Sequence, residues 1–91
     1  MTARRISIRG KLQGVFFREW VVARAKELDI SGWVRNRADG SVEVHGSGAD
    51  AQLERFIDKL REGAPAAQVD GLEIASAVDE DVVGFVRRRT E

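Results

Sequence analysis

The chain has no cysteine, only one histidine and one proline, and no net charge. The absence of cysteine excludes disulfide bonds, a thiol nucleophile and zinc-thiolate sites. Because fifteen basic residues balance fifteen acidic ones, no overall field attracts nucleic acid or an anionic membrane surface. There is also no apolar run of about 18 residues, the length that a transmembrane helix requires.

The remaining composition is that of a small globular protein. Hydrophobic side chains make up 43% of the 91 residues and charged side chains 33%. A chain of this length buries one hydrophobic core but not two, so we expect residues 1–91 to form a single domain. Residues 1–6 lead directly into a strand pattern without the apolar stretch of a signal peptide. We therefore expect a cytoplasmic protein, and a monomer.

The spacing of apolar side chains predicts five strands and two helices. Isoleucines alternate with polar residues before Gly10, as in a half-buried strand, and two later segments repeat apolar residues every three or four positions, as in amphipathic helices. Gly63 and Pro65 end the second helix. In chain order we predict a strand over 5–9, a helix over 17–28, a hairpin of two strands over 31–44, a helix over 50–62, a strand over 69–77 and a strand over 84–88.

The order of these elements is βαββαβ, followed by a short extra C-terminal strand. This is the split arrangement of ferredoxin-like folds. We therefore predict an α+β sandwich whose mainly antiparallel sheet carries both helices on one face, with Leu72 and Ile74 turned towards them. The first and second strands run parallel in this topology. Asn36, near the end of the second strand, should then reach the same edge of the sheet as the loop after the first strand.

The segment Gly10–Arg18 joins the first strand to the first helix and is the most informative part of the sequence. Backbone N–H groups at a helix N-terminus lack intrahelical partners and, together with the helix dipole, form an anion site. Arg18 lies in the first helical turn, where the dipole disfavours a cation, and a bound phosphoryl group would explain its position. An ordinary turn followed by a surface arginine explains the same residues, and the loop alone does not decide between the two.

Two motifs in the sequence resemble those of the acylphosphatase family. The family motifs read approximately Gly-x-Val-Gln-Gly-Val-x-Phe-Arg and Gly-x-Val-x-Asn-x-x-Asp-Gly-x-Val-Glu. The first is matched by Gly10, Gln13, Gly14, Val15, Phe17 and Arg18. The second is matched by Gly32, Val34, Asn36, Asp39, Gly40, Val42 and Glu43. Leu12 stands where valine is usual, which is a harmless change, and the resemblance extends over nearly the whole chain.

The resemblance implies an enzyme that hydrolyses small acyl phosphates, with Arg18 binding the phosphoryl group and Asn36 positioning the attacking water. The implied phosphate-binding residues are Gln13, Gly14, Val15, Phe16, Phe17 and Arg18. These residue types suit the chemistry, because an acyl phosphate has an activated leaving group and needs mainly charge neutralisation and an in-line water. No cluster of His, Asp or Glu stands at metal-ligand spacing, so we expect neither a metal nor another cofactor.

Other interpretations of these residues remain open. The side chain of Asn36 would equally satisfy the backbone of the neighbouring turn. Non-catalytic modules that bind phosphate or a metabolite share the fold, and a carbamoyl-phosphate-handling domain of a larger protein would have a similar sequence. RNA binding is disfavoured because the first and third strands carry no outward-facing aromatic residue. We therefore expect no nucleic-acid partner and no membrane partner.

Three further groups of residues are assigned to the surface or the fold. His45 alternates with Glu43 on the outward face of the third strand, so we expect it at the surface and outside any metal site. Trp20 and Trp33 are expected to cover the core or to lie on the open face of the sheet. Arg87–Arg89 are expected to form a solvated basic tail.

Overall fold

The computed structural model describes all residues from 1 to 91 and contains five strands and two helices in the predicted order. The elements are β1 (Thr2–Lys11), α1 (Phe17–Glu27), β2 (Ser31–Asn36), β3 (Val42–Gly48), α2 (Asp50–Glu62), β4 (Gln68–Ala77) and β5 (Phe85–Arg87). The predicted bounds of α2 are confirmed, whereas β1 is longer than predicted at both ends. Neither helix combines the length and the apolar composition that a membrane crossing requires.

The strands form one sheet in the order β4-β1-β3-β2-β5. All neighbouring pairs are antiparallel except β2 with β5, which is parallel. Since β1 and β2 both run antiparallel to β3, they run parallel to each other. The loop after β1 and the end of β2 therefore lie at the same edge of the sheet. This arrangement confirms the predicted α+β sandwich with a mainly antiparallel sheet.

Both helices pack on one face of the sheet and enclose the hydrophobic core. The buried stripes of α1 and α2 consist of Phe17, Val21, Ala25, Leu53, Phe56 and Leu60. The strands contribute mainly Ile6, Ile8, Val34, Val42 and Val44. Ile74 lies opposite Ile6 on this face, as predicted, but its side chain is 41% exposed. It is exposed because β4 is an edge strand that the helices cover only in part.

The opposite face of the sheet is covered at its centre, and the prediction of a surface His45 is wrong. The residue is only 1% exposed and stacks on Trp33, with ring centroids 5.9 Å apart. Glu80, in the segment between β4 and β5, accepts a hydrogen bond from Nε1 of Trp33 at 3.0 Å and pairs with Arg5 at 3.0 Å. The alternation along β3 places His45 on the outward face, but a later segment of the chain buries it.

The prediction of a solvated tail for Arg87–Arg89 is correct for exposure and wrong for contacts. Arg87 forms an ion pair with Glu19 in the first turn of α1. The guanidinium of Arg88 lies 4.6 Å from the ring centroid of Trp33, within the range of a cation–π contact. These arginines are therefore attached to the fold although much of their surface faces water.

Residues 88–91, which we call the tail strap, continue beside β2 after β5 ends. The backbone N–H of Arg88 donates to the carbonyl of Val34 at 2.8 Å, and that of Glu91 donates to the carbonyl of Asn36 at 3.0 Å. The N–H of Ala38 donates in turn to the Glu91 carbonyl at 2.8 Å. The tail strap thus reaches the end of β2 and the hairpin turn.

Glu43 is a second buried polar residue on the covered face, and its partners are all arginines. Its carboxylate lies 3.1 Å from Arg5, 2.6 Å from Arg35 and 3.5 Å from Arg37. Burial raises the pKa of Glu43, but hydrogen bonds from Arg35 and Arg5 outweigh that effect and hold the pKa below its ordinary value. Glu43 therefore stays ionised and holds three strands together, a structural role.

Because the imidazole of His45 is buried, we expect the free energy of unfolding to decrease in mild acid. Neither ring nitrogen has a hydrogen-bond partner, and burial lowers the pKa of His45 despite the attraction of Glu80. The unfolded chain binds a proton at about pH 6.5 while the folded chain stays neutral, so the free energy of unfolding falls as pH drops below about 6.5. We expect a shallower fall between pH 6.5 and 5 in His45→Gln, measured by urea unfolding. Equal slopes in the two proteins would contradict this assignment.

Candidate active site

The loop between β1 and α1 has an unusual backbone. Gly14 has φ +81° and open space where a Cβ would stand, so its requirement is conformational freedom. At Gly10 the requirement is space, because a Cβ would lie 1.9 Å from the carbonyl oxygen of Gln68 in β4. Phe16, just before α1, also adopts the left-handed conformation, with φ 57° and ψ 32°. These features turn the chain sharply into the helix.

The turn leaves a row of backbone donors without partners. No backbone N–H of residues 13–18 donates to a carbonyl, and no side chain caps the N-terminus of α1. The first helical bond runs from the N–H of Trp20 to the carbonyl of Phe16 at 3.1 Å. Such a row of N–H groups at the positive end of a helix binds anions. We call it the amide cradle.

A cavity of about 250 Å³ lies between the amide cradle and the end of β2. Its lining residues are Leu12, Gln13, Gly14, Phe16, Phe17, Arg18, Glu19 and Asn36. The fold therefore brings Arg18 and Asn36 into one cavity, together with all but one of the predicted loop residues. The exception is Val15, whose side chain packs against the core. Leu12 and Glu19 also line the cavity, and sequence reasoning assigned neither of them to it.

The guanidinium of Arg18 is held at the cavity by the tail strap. Its Nη1 donates to the carbonyl of Arg88 at 3.0 Å, which leaves most of its five N–H donors for a ligand. The neighbouring Glu19 pairs with Arg87. A glutamate in the first turn is favoured by the helix dipole, and this pair anchors the start of α1 to the strand beside β2.

Asn36 has a free side chain and a fixed backbone. Its carbonyl accepts the hydrogen bond from Glu91, while its side-chain amide makes no hydrogen bond within the protein. The turn is satisfied by Asp39 instead, whose carboxylate accepts from the hydroxyl and the N–H of Ser41 at 2.6 and 2.9 Å. The hydroxyl contact contributes most to lowering the pKa of Asp39. The alternative role of Asn36, as a residue that satisfies the turn, therefore has no contact to support it.

The side chain of Gln13 connects the amide cradle to the hairpin. Its Nε2 donates to the carbonyl of Arg37 at 3.0 Å and lies 3.4 Å from that of Ser41. This contact fixes the distance between the loop and the end of β2. Neither tryptophan lines the cavity. Trp20 stacks on Phe17 with ring centroids 5.6 Å apart, and Trp33 lies on the covered sheet face. No group of three or more His, Asp or Glu residues is arranged to hold a metal ion.

Known proteins that resemble this chain match it over nearly its whole length. The acylphosphatase family model matches residues 4–87. An acylphosphatase of Rhizorhabdus wittichii is 46% identical over 88 residues, which cover 97% of this chain and 89% of that protein. The crystal structure of acylphosphatase from Bacillus subtilis superposes with a TM-score of 0.92 at 32% identity, covering 97% of this chain and 99% of that one.

A longer protein also contains this fold. Full-length HypF, solved in a phosphate- and nucleotide-bound form, superposes with a TM-score of 0.90 at 25% identity. The match covers 99% of this chain but 12% of HypF. Because the family model matches residues 4–87 and the acylphosphatase of Rhizorhabdus wittichii is 46% identical over nearly the full length, the chain belongs to the acylphosphatase family.

Proposed function

We propose that the protein hydrolyses the carboxyl–phosphate anhydride bond of small acyl phosphates in the cavity between the amide cradle and β2. The observation that carries this proposal is the meeting of three features in one cavity: the unpartnered N–H groups of residues 13–18, the guanidinium of Arg18 and the free amide of Asn36. Together they offer anion binding on one side and a neutral polar group on the other.

The amide cradle and Arg18 bind the phosphoryl group. Its oxygens carry about two negative charges, which the N–H donors and the positive end of α1 neutralise. The planar guanidinium of Arg18 donates to two oxygens at once, as in other arginine–phosphate pairs. Its contact with the Arg88 carbonyl sets the orientation before the substrate arrives.

Asn36 holds the attacking water in line with the bond that breaks. The water oxygen forms a bond to phosphorus while the bond from phosphorus to the acyl oxygen breaks, and the carboxylate leaves with the electron pair. One water proton passes to a phosphoryl oxygen, so the products are the carboxylate and dihydrogen phosphate. A carboxylate is a stable leaving group and needs no general acid, which agrees with a cavity whose one acidic side chain, Glu19, is paired with Arg87.

The residues of the proposed site also bear on the oligomeric state. The amide cradle, Arg18 and Asn36 all come from one chain, so the proposed site needs no second subunit. We propose that residues 1–91 act as a single domain and a monomer in the cytoplasm, without a metal or an organic cofactor.

Turnover of benzoyl phosphate by the purified chain in EDTA tests this function. We expect benzoate and phosphate to appear in equal amounts and inorganic phosphate to inhibit competitively, while glycerol phosphate, an ester with a poor leaving group, is not hydrolysed. Loss of activity in EDTA that magnesium or zinc restores would contradict the metal-free mechanism. Phosphate binding without turnover would indicate a binding module, and a strong preference for carbamoyl phosphate would favour the carbamoyl-phosphate-handling alternative.

A further inference from the structure

Phe16 is an aromatic residue whose left-handed backbone conformation lowers the stability of the fold. Its side chain is 80% exposed, and it lines the cavity that holds Arg18 and Asn36. Its backbone is left-handed, like those of two other non-glycine residues, Asp29 and Asp81. Aspartate tolerates this conformation, whereas a bulky aromatic residue in it is an outlier.

The loop needs the left-handed backbone but not the phenyl ring. The carbonyl of Phe16 accepts the first helical hydrogen bond of α1, and its N–H belongs to the amide cradle. Glycine would adopt the same backbone at lower cost and would expose no apolar surface. The ring is not part of the hydrophobic core, so the fold gives no reason for it and a ligand contact is the remaining role.

The size of the cavity determines where the ligand can meet the ring. A cavity of about 250 Å³ is smaller than the usual ligand pocket of about 300–1,000 Å³. In the function proposed above, the phosphoryl group and the attacking water fill its polar part. The acyl group then has to extend past the rim. Six large apolar side chains of the protein are exposed, and Phe16 is the one that lines this cavity.

We propose that Phe16 is a specificity-determining residue, whose ring packs against the acyl group and favours aromatic acyl phosphates over acetyl phosphate. This inference rests on the function proposed above. A stacked or edge-to-face aromatic pair in a partly solvated position changes selectivity by roughly tenfold, which corresponds to about 1.4 kcal/mol.

The ratio of kcat/KM for benzoyl phosphate to that for acetyl phosphate measures this effect. We expect the ratio to fall roughly tenfold in Phe16→Gly, and also in Phe16→Asn, which keeps a residue suited to left-handed backbone. The ratio is informative because damage to the amide cradle lowers both rates together. We also expect Phe16→Gly to melt at a higher temperature than the wild type, since the backbone strain is relieved.

Val83→Ala is the matched control, because Val83 is 93% exposed and lies outside the cavity. It should leave the ratio and both rates unchanged.

Affinities for phenylphosphonate and methylphosphonate, measured by calorimetry, test the same contact without turnover. If the wild type hydrolyses neither substrate, the proposed function fails, yet the phosphonate ratio still decides the role of Phe16. A benzoyl preference or phosphonate ratio that survives in both Phe16 variants would overturn the inference.

Discussion

Replacing Arg18 with glutamine is expected to remove nearly all acyl phosphate hydrolysis and most of the inhibition by inorganic phosphate. The substitution deletes the only guanidinium that lines the cavity, while a side chain of similar length remains. It also removes the contact with the Arg88 carbonyl, which is an exposed hydrogen bond and contributes little to stability. The measurements are kcat/KM for benzoyl phosphate and the inhibition constant of phosphate.

Two further variants separate the effect of the guanidinium from the effect of charge. Arg18→Lys retains the charge but lacks the planar fork, so we expect it to remain poor in both activity and phosphate binding. Arg61→Gln makes the same change of net charge on an exposed position of α2 and should behave like the wild type. Wild-type phosphate affinity in Arg18→Gln would show that the arginine is only a surface residue.

Replacing Asn36 with alanine is expected to lower kcat by ~10²–10³ while KM and phosphate inhibition change little. A group that positions the water acts on the reaction path and not on anion binding, and loss of one such polar contact costs roughly 3–4 kcal/mol of transition-state stabilisation. The backbone of residue 36 still accepts the hydrogen bond from Glu91 in this variant. The tail strap should therefore stay in place, and the effect should be confined to the side chain.

A turn variant separates catalysis from stability. Asp39→Ala removes the acceptor that holds the N–H and hydroxyl of Ser41, so we expect it to lower the thermal midpoint slightly and to preserve activity per folded molecule. Asn36→Ala should show the opposite pattern, with a thermal midpoint near that of the wild type. A stable Asn36→Ala protein with near wild-type kcat would remove Asn36 from the mechanism.

Local pattern was enough to predict most of the fold and the position of the candidate site. The apolar stripes of α1 and α2 and the Asp39–Gly40 turn are short-range signals, and the βαββαβ order then determines which ends of strands meet. The sequence predicts that Asn36 and Arg18 lie close together, because β1 and β2 have to run parallel in this topology. The roles of the two residues remain predictions.

What the sequence could not show depends on contacts between distant segments. Alternation along β3 says which face His45 lies on, but not that Glu80 and Trp33 cover it. In the same way, the run Arg87–Arg89 resembles a free basic tail until β5 is paired with β2. The left-handed backbone of Phe16 could not be predicted from the sequence either, because no local rule assigns that conformation to an aromatic residue.

The tail strap has a consequence for the order in which the protein becomes active. Its residues emerge from the ribosome after every other element of the sheet, yet they hold the Arg18 guanidinium and the Asn36 carbonyl. Pairings such as Ala3 with Ala77 are also distant in sequence, and chains rich in such contacts fold in milliseconds to seconds. Of residues 85–91 only Phe85 belongs to the buried core, so a nascent chain without them retains the other core residues but has an incomplete candidate site. Activity during refolding should therefore follow the docking of the last strand and lag behind helix formation.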